Sequence, residues 1–150
     1  MRELVIVVNS LPPNPNRASR NWHANRKAQK DFGVLVRMCA VSYLNGWLEY
    51  QMAMRETINV DWEPLPRATI SLQFVIPTSK RGPVPDVHNL LMGLKPAIDQ
   101  LTARERGTGR NRTAGIGIIE DDGDGLTWGT VEVKREGDDE QTIITIRETK

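Results

Sequence analysis

The chain has 150 residues, a length that suits one domain and lets it bury a sizeable hydrophobic core. Its composition is that of a soluble globular protein, with 39% hydrophobic and 26% charged residues. No apolar run approaches the roughly 18 residues that a membrane-spanning helix needs, so we expect no membrane association. The single cysteine, Cys39, cannot form an internal disulfide, which favours the reducing cytoplasm as the compartment.

The formal net charge of +1 hides two basic segments, residues 11–37 and 104–112, each of which contains one acidic residue. A basic surface beside an acid-rich remainder suits a polyanionic partner such as nucleic acid. The alternative is that these charges are simply solvated on loops. The basic residues that we predict to contact nucleic acid are Arg17, Arg20, Arg26, Lys27, Lys30, Lys80, Arg81, Arg104, Arg106, Arg110 and Arg112.

A Val/Ile-rich β-strand is predicted over residues 3–9, followed by a stiff, proline-rich loop. Residues 22–43 are predicted to be helical because apolar side chains recur at three- and four-residue steps. These apolar residues are Phe32, Leu35, Val36, Cys39, Ala40 and Tyr43. The first half of the helix is basic, so this half is expected to face a ligand. Asn45-Gly46 breaks the pattern, and residues 47–63 either extend the helix or form an excursion.

The clearest strand covers residues 67–76, where apolar and polar side chains alternate. Residues 89–103 are predicted to be helical from the spacing of Leu91, Leu94, Ile98 and Leu101. Pro96 should either kink this helix or lie in the first turn of its second part. A Gly/Arg-rich loop follows over residues 104–113.

The C-terminal part is predicted to hold a short strand at residues 115–120, a turn at 121–125, and a final hairpin of strands 126–134 and 141–148. The element order is therefore β-α-β-α-β-β-β. This order indicates a single α/β (α+β) domain, residues 1–150, with a mixed β-sheet and two main helices.

An acidic constellation carries the strongest functional signal. Asp86 precedes the second helix, which carries Lys95 and Asp99, and the pair Asp121-Asp122 follows the next short strand. If that strand pairs beside residues 67–76, Asp86 and the Asp pair emerge at the same edge of the sheet. Carboxylates gathered this way repel one another and need a cation, and Mg²⁺ prefers oxygen ligands.

Each part of this constellation also has a purely structural interpretation. Asp86 is typical of a helix N-cap, and residues 121–125 are typical of a turn. Lys95 and Asp99 suit an exposed ion pair one helical turn apart. His88 alone is typical of a surface histidine. The joint pattern is therefore more informative than any one of its members.

The joint pattern resembles the RusA family of Holliday-junction resolvases over roughly residues 3–135. The matching residues are Asp86-Val87-His88-Asn89-Leu90, Lys95 with Asp99, and Gly117-Ile118-Ile119-Glu120-Asp121-Asp122, preceded by the basic, proline-rich segment from Pro12 to Arg17. In that family, an Asp-x-Asp-Asn-Leu segment, a Lys with an Asp four residues later and a late Asp pair surround Mg²⁺.

By this resemblance, Asp86, Lys95 and Asp122 are catalytic, and Asp86, His88, Asp121 and Asp122 hold the metal. His88 stands where the family pattern has its second Asp. Because imidazole ligates Mn²⁺ more readily than Mg²⁺, Mn²⁺ is a second possible cofactor. The resemblance also implies a homodimer, since paired nicks in a two-fold symmetric junction need two active sites.

The expected function is a metal-dependent, structure-selective endodeoxyribonuclease that resolves four-way junctions and other branched DNA. One alternative is a catalytically weakened protein that still binds branched DNA, which the His88 departure favours. A third possibility is a small regulatory or assembly domain that binds no nucleic acid, in which the acidic residues serve only as caps and turns.

Overall fold

The computed structural model describes residues 2–14, 22–53, 62–103, 105–106 and 113–150. In chain order, the elements are β1 (Glu3–Val8), α1 (Trp22–Ala53), β2 (Ala68–Ile76), α2 (Val87–Leu101), β3 (Glu105–Arg106), β4 (Thr113–Ala114), β5 (Leu126–Arg135) and β6 (Gln141–Glu148). β1, β6, β2 and β5 form a four-stranded sheet in this order, with only β5 parallel to its neighbour. The predicted α+β class, with a mixed sheet and two main helices, is confirmed.

The core lies between one face of this sheet and the two helices. Alternation along β2 buries Ile70, Leu72 and Phe74, as the sequence predicts. Ile70 pairs with Ile146 of β6, and Leu72 pairs with Ile144, so the central strands present a continuous apolar surface to the helices. Each such fully buried side chain contributes about 1.5–3 kcal/mol relative to an exposed one.

Helix α1 continues through Asn45-Gly46, where a break was predicted, to Ala53, so the first of the two alternatives for the following residues holds as far as Ala53. A glycine in a helix interior is less favourable than alanine by only about 1 kcal/mol of helix stability. One such residue therefore does not have to end a long helix. Phe32, Val36 and Ala40 are buried, as expected from their spacing. Two other members of the predicted stripe, Leu35 and Tyr43, lie on the exposed side instead.

Helix α2 is one continuous helix that contains Pro96, rather than two parts that meet at this residue. Leu94, Ile98 and Leu101 are fully buried and hold it against the sheet. It also contacts the loop after β1 so closely that a Cβ atom on Gly93 would collide with the carbonyl oxygen of Pro13. The position of α2 is therefore determined by the core and by the loop after β1.

Two predictions for the C-terminal half were wrong. Strands β5 and β6 do not form a hairpin, because β2 lies between them. Residues 115–120 are not a strand of the main sheet, and Ile119 makes only single bridges, to Leu65 and Thr102. Gly117, with a φ of 76°, turns the chain out of the extended conformation that a strand requires.

The Gly/Arg-rich region contains a small element that the sequence analysis did not predict, the two-residue strands β3 and β4 paired antiparallel. None of the helices in the described part of the chain is long and apolar enough to cross a membrane.

Candidate functional site at helix α2

Lys95 is the centre of the candidate site. Its Nζ donates to Asp99 Oδ1 at 3.3 Å, one turn along α2, and also donates to Asp122 Oδ2. Asp122 lies 27 residues further along the chain, in the turn that precedes β5. The fold therefore brings together three of the residues that the sequence analysis singled out: Lys95, Asp99 and Asp122.

The members of this cluster differ in their exposure. The Lys95 side chain is 58% exposed, whereas that of Asp122 is only 13% exposed. Partial burial lowers the pKa of Lys95, but the hydrogen bond to Asp122 and the charges of Asp99 and Asp122 outweigh it, so the pKa lies above its ordinary value. Lys95 is thus held in its charged form and balances a largely buried carboxylate.

The turn that carries Asp122 is positioned by the residues just before it. Ile118 and Ile119 are buried, and their backbone N–H groups donate to the Leu101 carbonyl at 2.8 and 3.1 Å. On the other side, Leu65 N donates to the Ile118 carbonyl at 2.9 Å, and Glu120 N donates to the Leu65 carbonyl at 3.0 Å. This segment is therefore fixed between the end of α2 and the entry to β2.

Three residues that were not predicted as part of the site, Arg2, Trp62 and Gly115, support this segment. Trp62 Nε1 donates to the Ile118 carbonyl at 3.1 Å, and the Arg2 guanidinium lies 4.9 Å from the centroid of the Trp62 ring. Gly115 approaches α2 so closely that a Cβ atom there would collide with the Thr102 carbonyl oxygen. A glycine in the sequence can indicate a close approach of two backbone segments. Only the tertiary structure shows that Gly115 lies against the Thr102 carbonyl.

Asp121 has a local role in the same turn. Its Oδ1 accepts a hydrogen bond from Asp122 N at 2.8 Å. Leu126 N donates to the Gly123 carbonyl at 3.0 Å and closes the predicted turn. Asp121 therefore helps to shape the backbone that presents Asp122.

Asp86 and His88 lie at the other end of α2. Asp86 is the N-cap, and its Oδ1 accepts a hydrogen bond from His88 N at 2.8 Å. The Asp86 carbonyl also accepts the first backbone hydrogen bond of the helix, from Leu90 N at 3.1 Å. The His88 side chain is exposed. These contacts match the capping interpretation of Asp86.

The predicted metal ligands do not form a ready-made cluster. Among the described residues, no group of three or more His, Cys, Asp or Glu side chains is placed to hold a metal ion. The donor chemistry still fits Mg²⁺, which is often bound by one or two carboxylates, with water and substrate phosphate completing its shell. Asp121 and Asp122 are adjacent carboxylates of this kind.

The basic residues predicted to contact nucleic acid fall into three sets: exposed residues, one residue in a short strand, and residues outside the described ranges. Arg26, Lys27 and Lys30 are exposed on α1, and Lys80 and Arg81 are exposed in the loop after β2. Arg106 belongs to β3. The remaining predicted residues, Arg17, Arg20, Arg104, Arg110 and Arg112, lie outside the described residues.

The loop that carries Lys80 and Arg81 is anchored at several points. The Arg135 guanidinium donates to the Lys80 and Gly82 carbonyl oxygens, and Lys80 Nζ pairs with Glu140 Oε1 at 2.9 Å. At the start of the loop, Thr78 N donates to the Gly137 carbonyl at 3.1 Å. The loop is therefore held against the ends of β5 and β6.

Comparisons of the chain with models of protein families and with curated proteins found no match.

Proposed function

We propose that the protein is a metal-dependent, structure-selective endodeoxyribonuclease that cuts branched DNA, such as four-way junctions, by paired phosphodiester hydrolysis. The observation that carries this proposal is the contact of Lys95 with both Asp99 and Asp122. Carboxylates and a lysine in contact, beside exposed basic segments, suit hydrolysis of a polyanionic backbone. The motif resemblance to RusA-type resolvases described above points to the same activity.

In this proposal, Asp121 and Asp122 would hold Mg²⁺ or Mn²⁺. The motif resemblance also assigns Asp86 and His88 to the metal, but these two residues lie at the other end of α2, so the free protein does not present them to the same ion. When bound, such a metal ion activates water and stabilises the departing oxygen of a phosphodiester. Lys95 has two roles: it balances Asp122 in the free protein, and its partly exposed ammonium contacts the scissile phosphate when DNA is bound.

The exposed basic residues of α1 and of the loop after β2 supply the phosphate contacts. Counterion release makes such binding weaken steeply as salt rises. Phosphate contacts carry no base sequence, so recognition of the branch point rests mainly on the shape of the DNA.

The exposed side of α1 supports the homodimer that paired cleavage needs. Val34, Met38 and Val41 recur at four- and three-residue steps on this helix, and 46%, 64% and 39% of their surfaces are exposed. An apolar stripe of this kind suits a contact with a second copy of the chain. A two-fold dimer would present two active sites to a two-fold symmetric junction. Its setting would be the reducing cytoplasm, where Cys39 remains a free thiol.

The alternative function is a catalytically weakened protein that binds branched DNA. It is favoured by the exposed His88 in place of a carboxylate and by the absence, within the described ranges, of a group of three metal-holding side chains. This alternative predicts tight junction binding and no cleavage in either metal.

The test is nicking of a labelled synthetic four-way junction, compared with linear duplex, in Mg²⁺, Mn²⁺ and EDTA. Asp122→Asn removes the carboxylate that contacts Lys95, and Asp124→Asn makes the same chemical change at an exposed position of the same turn. Paired, metal-dependent nicks that Asp122→Asn loses and Asp124→Asn retains are the expected result. No cleavage by the wild-type protein in either metal would overturn the proposal.

A further inference from the structure

A cavity of about 300 Å³ opens beside the N-terminus of α2. Its wall and floor are mainly formed by Pro12, Pro13, Pro83, Val84, Pro85 and Leu90, and we call it the proline pocket. Leu90 is buried at its floor, whereas Val84 is 47% exposed. Three charged or amide side chains, those of Asn14, Lys80 and Glu140, also line it. The pocket is therefore lined by both apolar and polar groups.

Both loops that form the proline pocket are anchored to the core. The loop after β1 is held because Thr142 Oγ1 donates to the Ser10 carbonyl at 2.7 Å. The same loop packs on α2 at Gly93, where even a Cβ atom would not fit. The second loop is fixed by the Arg135 guanidinium described above. A pocket held in this way exists before its ligand binds, which lowers the entropic cost of binding.

The location of the pocket relates it to the candidate site. Pro85, one of its walls, is the covalent neighbour of Asp86. Lys80 and Arg81, the proposed phosphate contacts, belong to the same loop as Pro83 and Val84. A DNA strand that places a phosphate near Asp86 and along this loop therefore places the attached base within reach of the pocket.

We infer that the proline pocket accepts a single unstacked nucleobase of the DNA strand bound along the basic loop and thereby makes recognition depend on that base. The inference rests on the DNA binding that the proposed function includes. Apolar proline rings can pack against the faces of a base, and enzymes that extrude bases hold them between aromatic or apolar side chains. Phosphate groups instead prefer N–H donors and cations, so the backbone stays outside, along the basic loop.

The polar groups of the pocket suit the edge of a base. Asn14 carries an amide and Glu140 a carboxylate, which are groups of the kinds that hydrogen-bond to base edges. The unstacking cost is smallest for a base that is already unpaired. A branch point carrying an unpaired nucleotide is therefore the best ligand with which to look for this interaction.

The test measures each protein variant with each DNA variant. Labelled four-way junctions carry one unpaired nucleotide at the crossover, and an abasic analogue replaces in turn this nucleotide and each of its neighbours. Affinity is measured by fluorescence anisotropy in EDTA, so the result does not depend on cleavage. Val84→Trp fills the mouth of the pocket, and Val5→Trp adds the same bulk on the outer face of β1, where Val5 is 39% exposed.

At one position, removal of the base is expected to weaken binding about tenfold for the wild-type protein and for Val5→Trp, in line with typical base-stacking contributions. For Val84→Trp, which has already lost the pocket, the same removal should change affinity less than about twofold. Should Val84→Trp not fold, as judged by circular dichroism, Val84→Met fills part of the same space with a flexible side chain.

The inference is overturned if base removal has the same effect in all three proteins or has no effect at any position. These outcomes leave the nuclease proposal standing, since cleavage is measured separately. Conversely, a base effect that depends on Val84 in a protein that cuts nothing would support the pocket and overturn the nuclease proposal. A protein that binds no junction DNA overturns both.

Discussion

The two ends of helix α2 use acidic residues in different ways. At the N-terminal end, Asp86 bonds to the backbone of a residue two positions away. Further along the helix, Lys95 contacts a carboxylate 27 residues away in the chain. The first contact needs only a helix start, whereas the second needs the complete fold. The difference shows that residues belonging to one sequence motif can take separate structural roles.

Stability alone explains the first end better than the second. An N-cap is worth about 1 kcal/mol, which is a sufficient structural reason for Asp86. An exposed ion pair contributes only about 0.2–1 kcal/mol, and the Lys95 side chain is 58% exposed. The Asp122 carboxylate is the less exposed partner of this pair, and burial of a carboxylate is costly. Asp122 is therefore the member of the constellation that capping and local turn formation explain least.

The largest expected effect is a loss of DNA cleavage in a variant that keeps the N-cap of α2. Asp86→Asn keeps the cap, because Asn caps helices as well as Asp does. If Asp86 also holds the metal ion, this variant should retain its thermal stability and lose junction cleavage on the order of 100-fold, as Asp122→Asn should. Single-turnover cleavage rates and circular dichroism melts measure the two properties. Wild-type cleavage by Asp86→Asn would restrict this residue to capping and leave the chemistry to the Lys95–Asp122 end.

The next effect concerns the packing of α2 on the core, which positions both Asp86 and Lys95. Leu94→Ala removes a fully buried side chain next to Lys95 and should lower the free energy of unfolding by about 2–5 kcal/mol. Met92→Ala is the matched change on the exposed side of the same helix and should have little effect, because Met92 is 49% exposed. Urea denaturation of both variants measures the difference. Similar losses in the two variants would contradict the core position of Leu94.

A smaller effect is expected from removal of the cap itself. Asp86→Ala leaves the His88 N–H without its acceptor and should cost about 1 kcal/mol of folding free energy. The comparison with Asp86→Asn, measured by urea denaturation under the same conditions, isolates the capping bond. If Asp86→Ala is as stable as Asp86→Asn, the hydrogen bond to His88 N contributes nothing to stability.

The smallest effect is a pH dependence at the Lys95 end. The pKa of Lys95 is raised in the folded protein, so its stabilising contribution is complete below the ordinary value of 10.5 and is lost as pH rises through the higher folded-state pKa. The wild-type protein should therefore exceed Lys95→Met in stability by about 0.2–1 kcal/mol at pH 7, and this excess should shrink at alkaline pH. Urea denaturation at pH 7, 9 and 11 tests this. A difference that grows with pH would mean that the sign of the shift is wrong.

The sequence by itself determined the local features of this protein. Val/Ile content was sufficient to predict β1, and side-chain alternation was sufficient for β2. Three- and four-residue spacing predicted both helices, but in α1 it gave only part of the buried face. The turn at residues 121–125 and the Lys95–Asp99 pair were predictable for the same reason. Each depends on interactions among residues a few positions apart.

Only the tertiary structure decided which distant segments meet. Periodicity does not distinguish a hairpin of β5 and β6 from the observed insertion of β2 between them, because pairing partners depend on long-range burial. The contact of Lys95 with Asp122 likewise depends on the backbone bonds that hold Ile118 and Ile119 between Leu101 and Leu65. Those bonds form only when α2 and β2 are already packed on the same core, and no local pattern in the sequence records that arrangement.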